Sequence, residues 1–189
     1  MTDVQNIVST LNPKKIFDSI FPIELNWRLA DLGCGTMAFF TLEAARRVGN
    51  KGEVYAVDVQ KQVLAAVNQL SKTQGLYNVA TVWSNIEIVG ATNIPNESLD
   101  ACFLVTTLFQ VDDKNKAIQE AERLLKPGGK ILIVDWRTSN APVAPQANRI
   151  IDQQQLKKDI INNHLNIISE FQPTSFHFGM VVEKPLANN

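Results

Sequence analysis

The sequence predicts an α/β chain: a mostly parallel seven-stranded sheet between two layers of helices, closed by a C-terminal antiparallel hairpin. Three observations carry this. Short apolar, β-branched runs alternate with helical stretches through most of the chain. The first strand meets its helix at a Gly-x-Gly turn. Past Trp136 the alternation stops, and two strand-like runs follow each other across a short turn. A connection that short cannot make a parallel crossover, so those two strands pair antiparallel. Five βα units and a terminal hairpin stack as a three-layer sandwich.

Each element has its own signal. Trp27–Asp31 is a short buried strand running into Gly33-Cys34-Gly35. A helical stretch, Phe40–Val48, carries Leu42, Ala45 and Val48 at near-helical spacing until Asn50-Lys51-Gly52 breaks it. Glu53–Val59 is the second strand. Lys61–Gln74 is the second helix, lined on one face by Val63, Leu64, Val67 and Leu70 and stopped by Gly75. Asn78–Trp83, rich in β-branched and aromatic residues, is the third strand. After a loop with Pro95, the apolar run Leu99–Val105 suits a strand buried on both faces. Asp112-Asp113 opens a helix reaching Leu125, acid standing at its positive end. Pro127-Gly128-Gly129 ends that helix, and Lys130–Val134 is the fifth strand. Ser139–Gln146 is a loop with two prolines, Gln153–His164 is helical, and Ile167–Phe171 and Phe178–Val182 form the hairpin around Pro173.

Composition bounds the function. A chain of 189 residues is expected to form one domain, residues 1–189, and to hold its core without metal or disulfides. Eighteen basic residues against nineteen acidic ones leave a net charge of −1, without the basic excess of a dedicated nucleic-acid binder. The two cysteines, Cys34 and Cys102, make no disulfide framework and suit a reducing, cytoplasmic setting. Met1–Thr10 is polar and mixed, unlike a secretory signal. No apolar run approaches the ~20 residues of a membrane helix. The expected partner is a small molecule, with no nucleic acid, no membrane span, and a monomer or homodimer as the working unit.

The chemistry concentrates in Asp31-Leu32-Gly33-Cys34-Gly35-Thr36, between a strand and a helix. Glycines there let backbone N–H groups and the helix N-terminus approach a ligand closely. Asp58 ends the next strand, 23 residues on from Gly35, where a carboxylate can accept both hydroxyls of a ribose. Two cofactors fit. Gly33-x-Gly35-x-x-Ala38 satisfies the dinucleotide pattern, which tolerates alanine at its third position. Asp31 points the other way, because at the strand tip its charge repels a pyrophosphate and attracts the amino group of a cationic amino acid. The short stretch after the fifth strand is too small for a typical substrate domain. The terminal hairpin also differs from an all-parallel dinucleotide half. A nicotinamide-dependent oxidoreductase and a non-catalytic cofactor-binding protein stay open as alternatives.

Three segments in order, Leu29–Thr36, Gly52–Asp58 and Leu124–Lys130, resemble the class I S-adenosylmethionine-dependent methyltransferases, in particular the branch of the ubiquinone and menaquinone C-methyltransferases. The resemblance runs from about Lys14 to the C-terminus. It implies a Rossmann-like sandwich, S-adenosyl-L-methionine as cofactor, and methyl transfer to an acceptor it does not identify. By the same resemblance Asp31, Gly33 and Gly35 hold the methionine part, with Cys34 inside the loop. Asp58 takes the ribose hydroxyls, Val59 and Gln60 lie beside the adenine, and Asn85 accepts from the adenine amino group with Ile86 packed nearby. Thr106, Thr107 and Leu108 follow the fourth strand, where the reactive methyl sits. Two departures stand out: Met37 replaces the family's usual third glycine and is expected to crowd the cofactor, and Ile86–Thr92 is a few residues longer than usual.

Other candidates read more plainly. Cys34 fills a turn, with no histidine near it in sequence; Cys102 packs in a strand. His177 is expected to be a surface or turn residue, with a general base as the alternative. His164 ends a helix. Trp136 and Arg137, just past the fifth strand, either line the acceptor site or cap the sheet. Phe17, Phe21 and Phe39 either pack in the core or close over the pocket. Two histidines and two scattered cysteines make no metal cluster, and no residue stands out as a catalytic base.

Overall fold

A computed structural model describes residues 11–141 and 143–186; the polar segment Met1–Thr10, together with Pro142 and Ala187–Asn189, lies outside the described residues. The elements in chain order are α1 (Pro13–Ser19), β1 (Arg28–Leu32), α2 (Phe39–Val48), β2 (Glu53–Asp58), α3 (Lys61–Thr73), β3 (Val79–Trp83), β4 (Leu99–Val105), α4 (Lys114–Leu124), β5 (Leu125–Trp136), α5 (Gln153–Asn162), β6 (Asn166–Thr174) and β7 (His177–Glu183). One seven-stranded sheet has the order β3-β2-β1-β4-β5-β7-β6. β1 to β5 run parallel, while β7 pairs antiparallel with both β5 and β6. The sandwich and its hairpin are therefore as the alternation requires.

Central strands are buried on both faces, which is why they read as apolar runs rather than alternating ones. Leu29, Ala30 and Leu32 of β1 and Cys102, Phe103 and Leu104 of β4 are fully buried. One core cluster, with Leu104, Ile118, Leu124 and Ile133, lies on one face of the sheet. Another joins α1 and α2 to the other face through Phe17, Phe40, Phe103 and Val134. The chain order reverses direction between β1 and β4. Open α/β sheets bind ligands at such a switch point, beyond the carboxyl ends of the strands.

Two elements differ from the sequence reading. Helix α1 has no place in that reading, although Asn12 caps Lys15 N–H at 3.1 Å and Pro13 opens the helix. Ile16 and Phe17 bury it, with Phe17 against Phe103 and, edge-on, Phe40. The fifth strand begins at Leu125, not Lys130, so Pro127-Gly128-Gly129 lies inside it rather than between elements. Leu99 pairs with Leu125 across a register shift, and Gly128 N–H donates to the Lys184 carbonyl at 2.8 Å. The other boundaries move by a residue or two, as element ends do.

The long Ile86–Thr92 segment is pinned from α4. The fully buried Glu120 carboxylate accepts from Gly90 N–H (2.7 Å), Thr92 N–H (3.0 Å) and the Arg123 guanidinium (2.8 Å). Burial alone raises a carboxyl's pKa, but these bonds outweigh it and hold Glu120 down at about 2.

Candidate functional site

Two adjoining cavities open at the carboxyl ends of β1, β2 and β4, sharing Gly33, Gly35, Thr36 and Gln110. The first, about 450 Å³, is lined by Asp58, Val59, Gln60, Ser84, Asn85, Ile86, Glu87 and Thr107 among others. The second, about 330 Å³, holds Asp31 and Cys34 on one side and Phe39, Phe109, Trp136 and His177 on the other. Every cofactor residue expected from the sequence lines one of these two spaces: Thr106 the second, Val59, Gln60, Asn85 and Ile86 the first. Leu108 lines neither; it is fully buried in the core.

The loop between β1 and α2 divides the cavities. Gly33 sits at φ +86°, and a Cβ there would stand 2.5 Å from the Thr107 side chain, so only glycine lets the loop pass against the end of β4. Ala38 heads α2 in a left-handed conformation without a side-chain cap, so the first N–H groups of that ten-residue helix are left for another partner. Asp58 braces the loop from β2, accepting from Gln60 N–H at 2.9 Å and, more distantly, Gly35 N–H at 3.4 Å.

Asp31 is almost fully buried and accepts from the Thr41 hydroxyl at 2.6 Å. Burial raises its pKa to about 6, with nearby Asp58 adding to the rise and the Thr41 bonds opposing it. Burial, then the charges of Asp31 and Asp58, push the Cys34 thiol well above its usual range. That thiol is no nucleophile; it fills the turn. Asn85 Oδ1 accepts from Glu87 N–H at 2.9 Å, which shapes the turn after β3 and leaves its amide nitrogen and a second lone pair for a ligand. Glu87, missed in the sequence, lines the first cavity while accepting from Asp112 and Asp113 N–H, both at 2.7 Å. It had no spacing signal, because only the fold brings the β3 loop to the start of α4.

On the other side, Trp136 is buried against His177, ring centroids 4.2 Å apart, and both line the second cavity. Arg137 is exposed and outside it. The expectation of a surface histidine fails at His177: only 2% of it is exposed, because β7 lies between β5 and β6 and its first residue pairs with Trp136. His164 stays exposed at the end of α5. Phe17 and Phe21 are core, while Phe39, half exposed, lines the second cavity. Met37 is also on that cavity and more than half exposed, not on the first. Asp135, fully buried, accepts from Trp136 N–H (2.7 Å) and Phe109 N–H (3.2 Å), tying the loop after β4 to β5; burial pushes it up to about 7.

The cavities' electrostatics are one-sided. Among the described residues their lining holds three carboxylates, Asp31, Asp58 and Glu87, and no lysine or arginine. A pyrophosphate finds no counter-charge there, whereas a ligand with a cationic end does. Among the described residues no group of His, Cys, Asp and Glu could hold a metal ion, and no helix is long and apolar enough to cross a membrane.

Comparison with known proteins agrees with this geometry. Residues 23–177 match the family model described as "Methyltransferase domain", and the chain belongs to that family. It is 30% identical over 131 residues to the ubiquinone/menaquinone biosynthesis C-methyltransferase UbiE of Pectobacterium carotovorum, covering 69% of this chain and 49% of that protein. The chain thus spans about half the length of the curated relatives it matches. Among solved structures, an S-adenosylmethionine-dependent methyltransferase from Aquifex aeolicus superposes with a TM-score of 0.84 at 21% identity, over 96% of this chain and 94% of that one. The [4+2]-cyclase SpnF does so with a TM-score of 0.78 at 17% identity, over 95% and 82%. The fold is that of the class I S-adenosylmethionine-dependent methyltransferases, and S-adenosyl-L-methionine is the cofactor its family implies.

Proposed function

We propose that this single domain transfers a methyl group from S-adenosyl-L-methionine to a small, largely apolar organic molecule in the cytoplasm. The carrying observation is the pair of joined cavities, acidic where a cationic cofactor belongs and apolar beyond it. Asp58 would take the ribose hydroxyls, and Gln60, Asn85 and Ile86 the adenine. Asp31 would hold the amino group, with the uncapped start of α2 facing the carboxylate. When bound, the cofactor supplies an activated sulfonium methyl that leaves its electron pair on sulfur. The chain's own contribution is alignment and exclusion of water: Thr36 and Gln110 stand between the cavities, and Thr106, Phe39, Phe109 and Trp136 wall the acceptor side. The apolar far side of that second cavity, walled by Phe39, Phe109 and Trp136, supports a small acceptor, and buried free cysteines suit a reducing compartment.

The test is a transfer assay with tritiated-methyl S-adenosylmethionine against a panel of small phenols, ketones and heteroaromatics, followed by organic extraction. Label in the organic phase for at least one class supports the reading. Label confined to added protein or RNA would overturn it, and binding of S-adenosylhomocysteine without any transfer would favour the non-catalytic alternative.

A further inference from the structure

His177 is the one buried side chain among the described residues whose polar atom, Nε2, has no hydrogen-bond partner. A buried, unpaired ring nitrogen is unfavourable and calls for an explanation. The His177 side chain lines the second cavity, whose other described lining is mainly apolar, with Asp31 as the sole charged residue. The rest of its surroundings hold it rigidly. Trp136 packs against the ring at a tilt of 41°, centroids 4.2 Å apart, and Nδ1 lies 2.7 Å from the Thr174 hydroxyl across the β6–β7 turn.

The hydrogen bonds of the turn point to one tautomer. Thr174 Oγ1 already accepts from Phe176 N–H at 3.1 Å. Its own hydrogen has one described acceptor within reach, His177 Nδ1. With Nδ1 accepting, the ring's single proton sits on Nε2. Burial lowers the imidazole's pKa to about 4, so the ring is neutral near pH 7 and carries one N–H.

We infer that His177 is the polar anchor of the acceptor pocket, its Nε2–H donating to a carbonyl-type oxygen of an uncharged, otherwise apolar methyl acceptor. This rests on the small-molecule reading above and narrows it. The cavity lining has no cation to match a carboxylate or phosphate, so a charged acceptor is disfavoured. An acceptor with no oxygen leaves Nε2–H unpaired and dry, which costs affinity. His177 positions; it is not asked to remove a proton.

Two measurements test it. Long-range ¹H–¹⁵N NMR of the His164→Gln protein, which retains a single histidine, reads the tautomer near pH 7 with and without S-adenosylhomocysteine. The proton on Nε2 is expected, and a proton on Nδ1 overturns the donor role. Ligand-observed NMR then compares ketone and hydrocarbon pairs, 1-indanone with indane and 1-tetralone with tetralin, on the S-adenosylhomocysteine-saturated protein. Each ketone is expected to bind about fivefold tighter than its hydrocarbon, the worth of one hydrogen bond. His177→Phe should abolish that preference and His177→Gln restore part of it, with S-adenosylhomocysteine affinity unchanged in both. Equal binding of ketone and hydrocarbon to the wild type overturns the anchor while leaving a small-molecule pocket intact. Binding of neither, with the cofactor product still bound, overturns the small-molecule reading as well. If His177→Phe does not fold, the tautomer and the wild-type preference still decide.

Discussion

Asp31 can hold a cationic amino group only when it is ionised, and its burial delays that ionisation to about pH 6. The amino group of S-adenosylhomocysteine stands beside its own carboxylate and loses its proton only above the ~8 of a peptide N-terminus. Between pH 5 and 7 the ligand therefore stays cationic while the carboxyl changes state. About one-tenth of Asp31 is ionised at pH 5 and about nine-tenths at pH 7, so affinity should rise about tenfold, some 1.4 kcal/mol, and flatten above neutrality. Isothermal titration at half-unit steps measures this. Asp135 also titrates near 7, so the informative quantity is the difference between wild type and Asp31→Asn, which should bind weakly and without the step. Thr41→Val removes the 2.6 Å hydroxyl donor that favours the charged form. It should move the step upward by about one pH unit, the equivalent of one hydrogen bond to a charged group. A raised carboxyl also has a sign for stability. Its contribution is full below its ordinary value near 4 and is lost as pH rises through 6, so the unliganded protein should lose about 3 kcal/mol from this group over that window. Wild-type affinity that is constant from pH 5 to 7 would refute the assignment of Asp31 to the amino group.

Other consequences can be checked on purified protein. Asp58→Ala should weaken S-adenosylhomocysteine binding by about 1.5–3 kcal/mol in calorimetry, and NADH should give no measurable heat with either protein; unchanged affinity would remove Asp58 from the site. Gly33→Ala puts a Cβ into Thr107 at positive φ, and denaturant unfolding should show a loss of about 2–4 kcal/mol. Glu120→Gln leaves Arg123 half-paired in a buried place and should cost about 3 kcal/mol. Because Glu120 titrates near 2 in the fold, its stabilisation is present above about pH 4.5 and lost as pH falls towards 2, a dependence the variant should lack.

The proposed cofactor side of the site was legible in the sequence because its parts are local. A glycine turn between a strand and a helix and an acid at the next strand end are short-range signals, and the fold brings Asp31, Gly33, Gly35 and Asp58 to the walls of the two joined cavities. The proposed acceptor side was legible only in part, as Trp136 and Phe39, because the rest of it is made by long-range contacts. His177 enters the cavity only since β7 inserts between β5 and β6 and sets it opposite Trp136. Glu87 arrives from a loop whose course is decided by Glu120, 30 residues beyond Gly90. Pro127-Gly128-Gly129 misled in a different way. Those residues normally end elements, but here the ladder runs through them by way of Lys184 and a register shift. Met37 lines the cavity that also holds Asp31, Trp136 and His177, and not the one that holds Asp58 and Asn85.

The division of labour between the two cavities is tested most directly by a crystal structure with S-adenosylhomocysteine bound. The ribose hydroxyls should lie on Asp58, the amino group within hydrogen-bonding distance of Asp31, and the sulfur turned towards the cavity of Trp136 and His177. A ligand reversed in the site, with its amino-acid end over Glu87 and its sulfur away from His177, would contradict the assignment of both cavities.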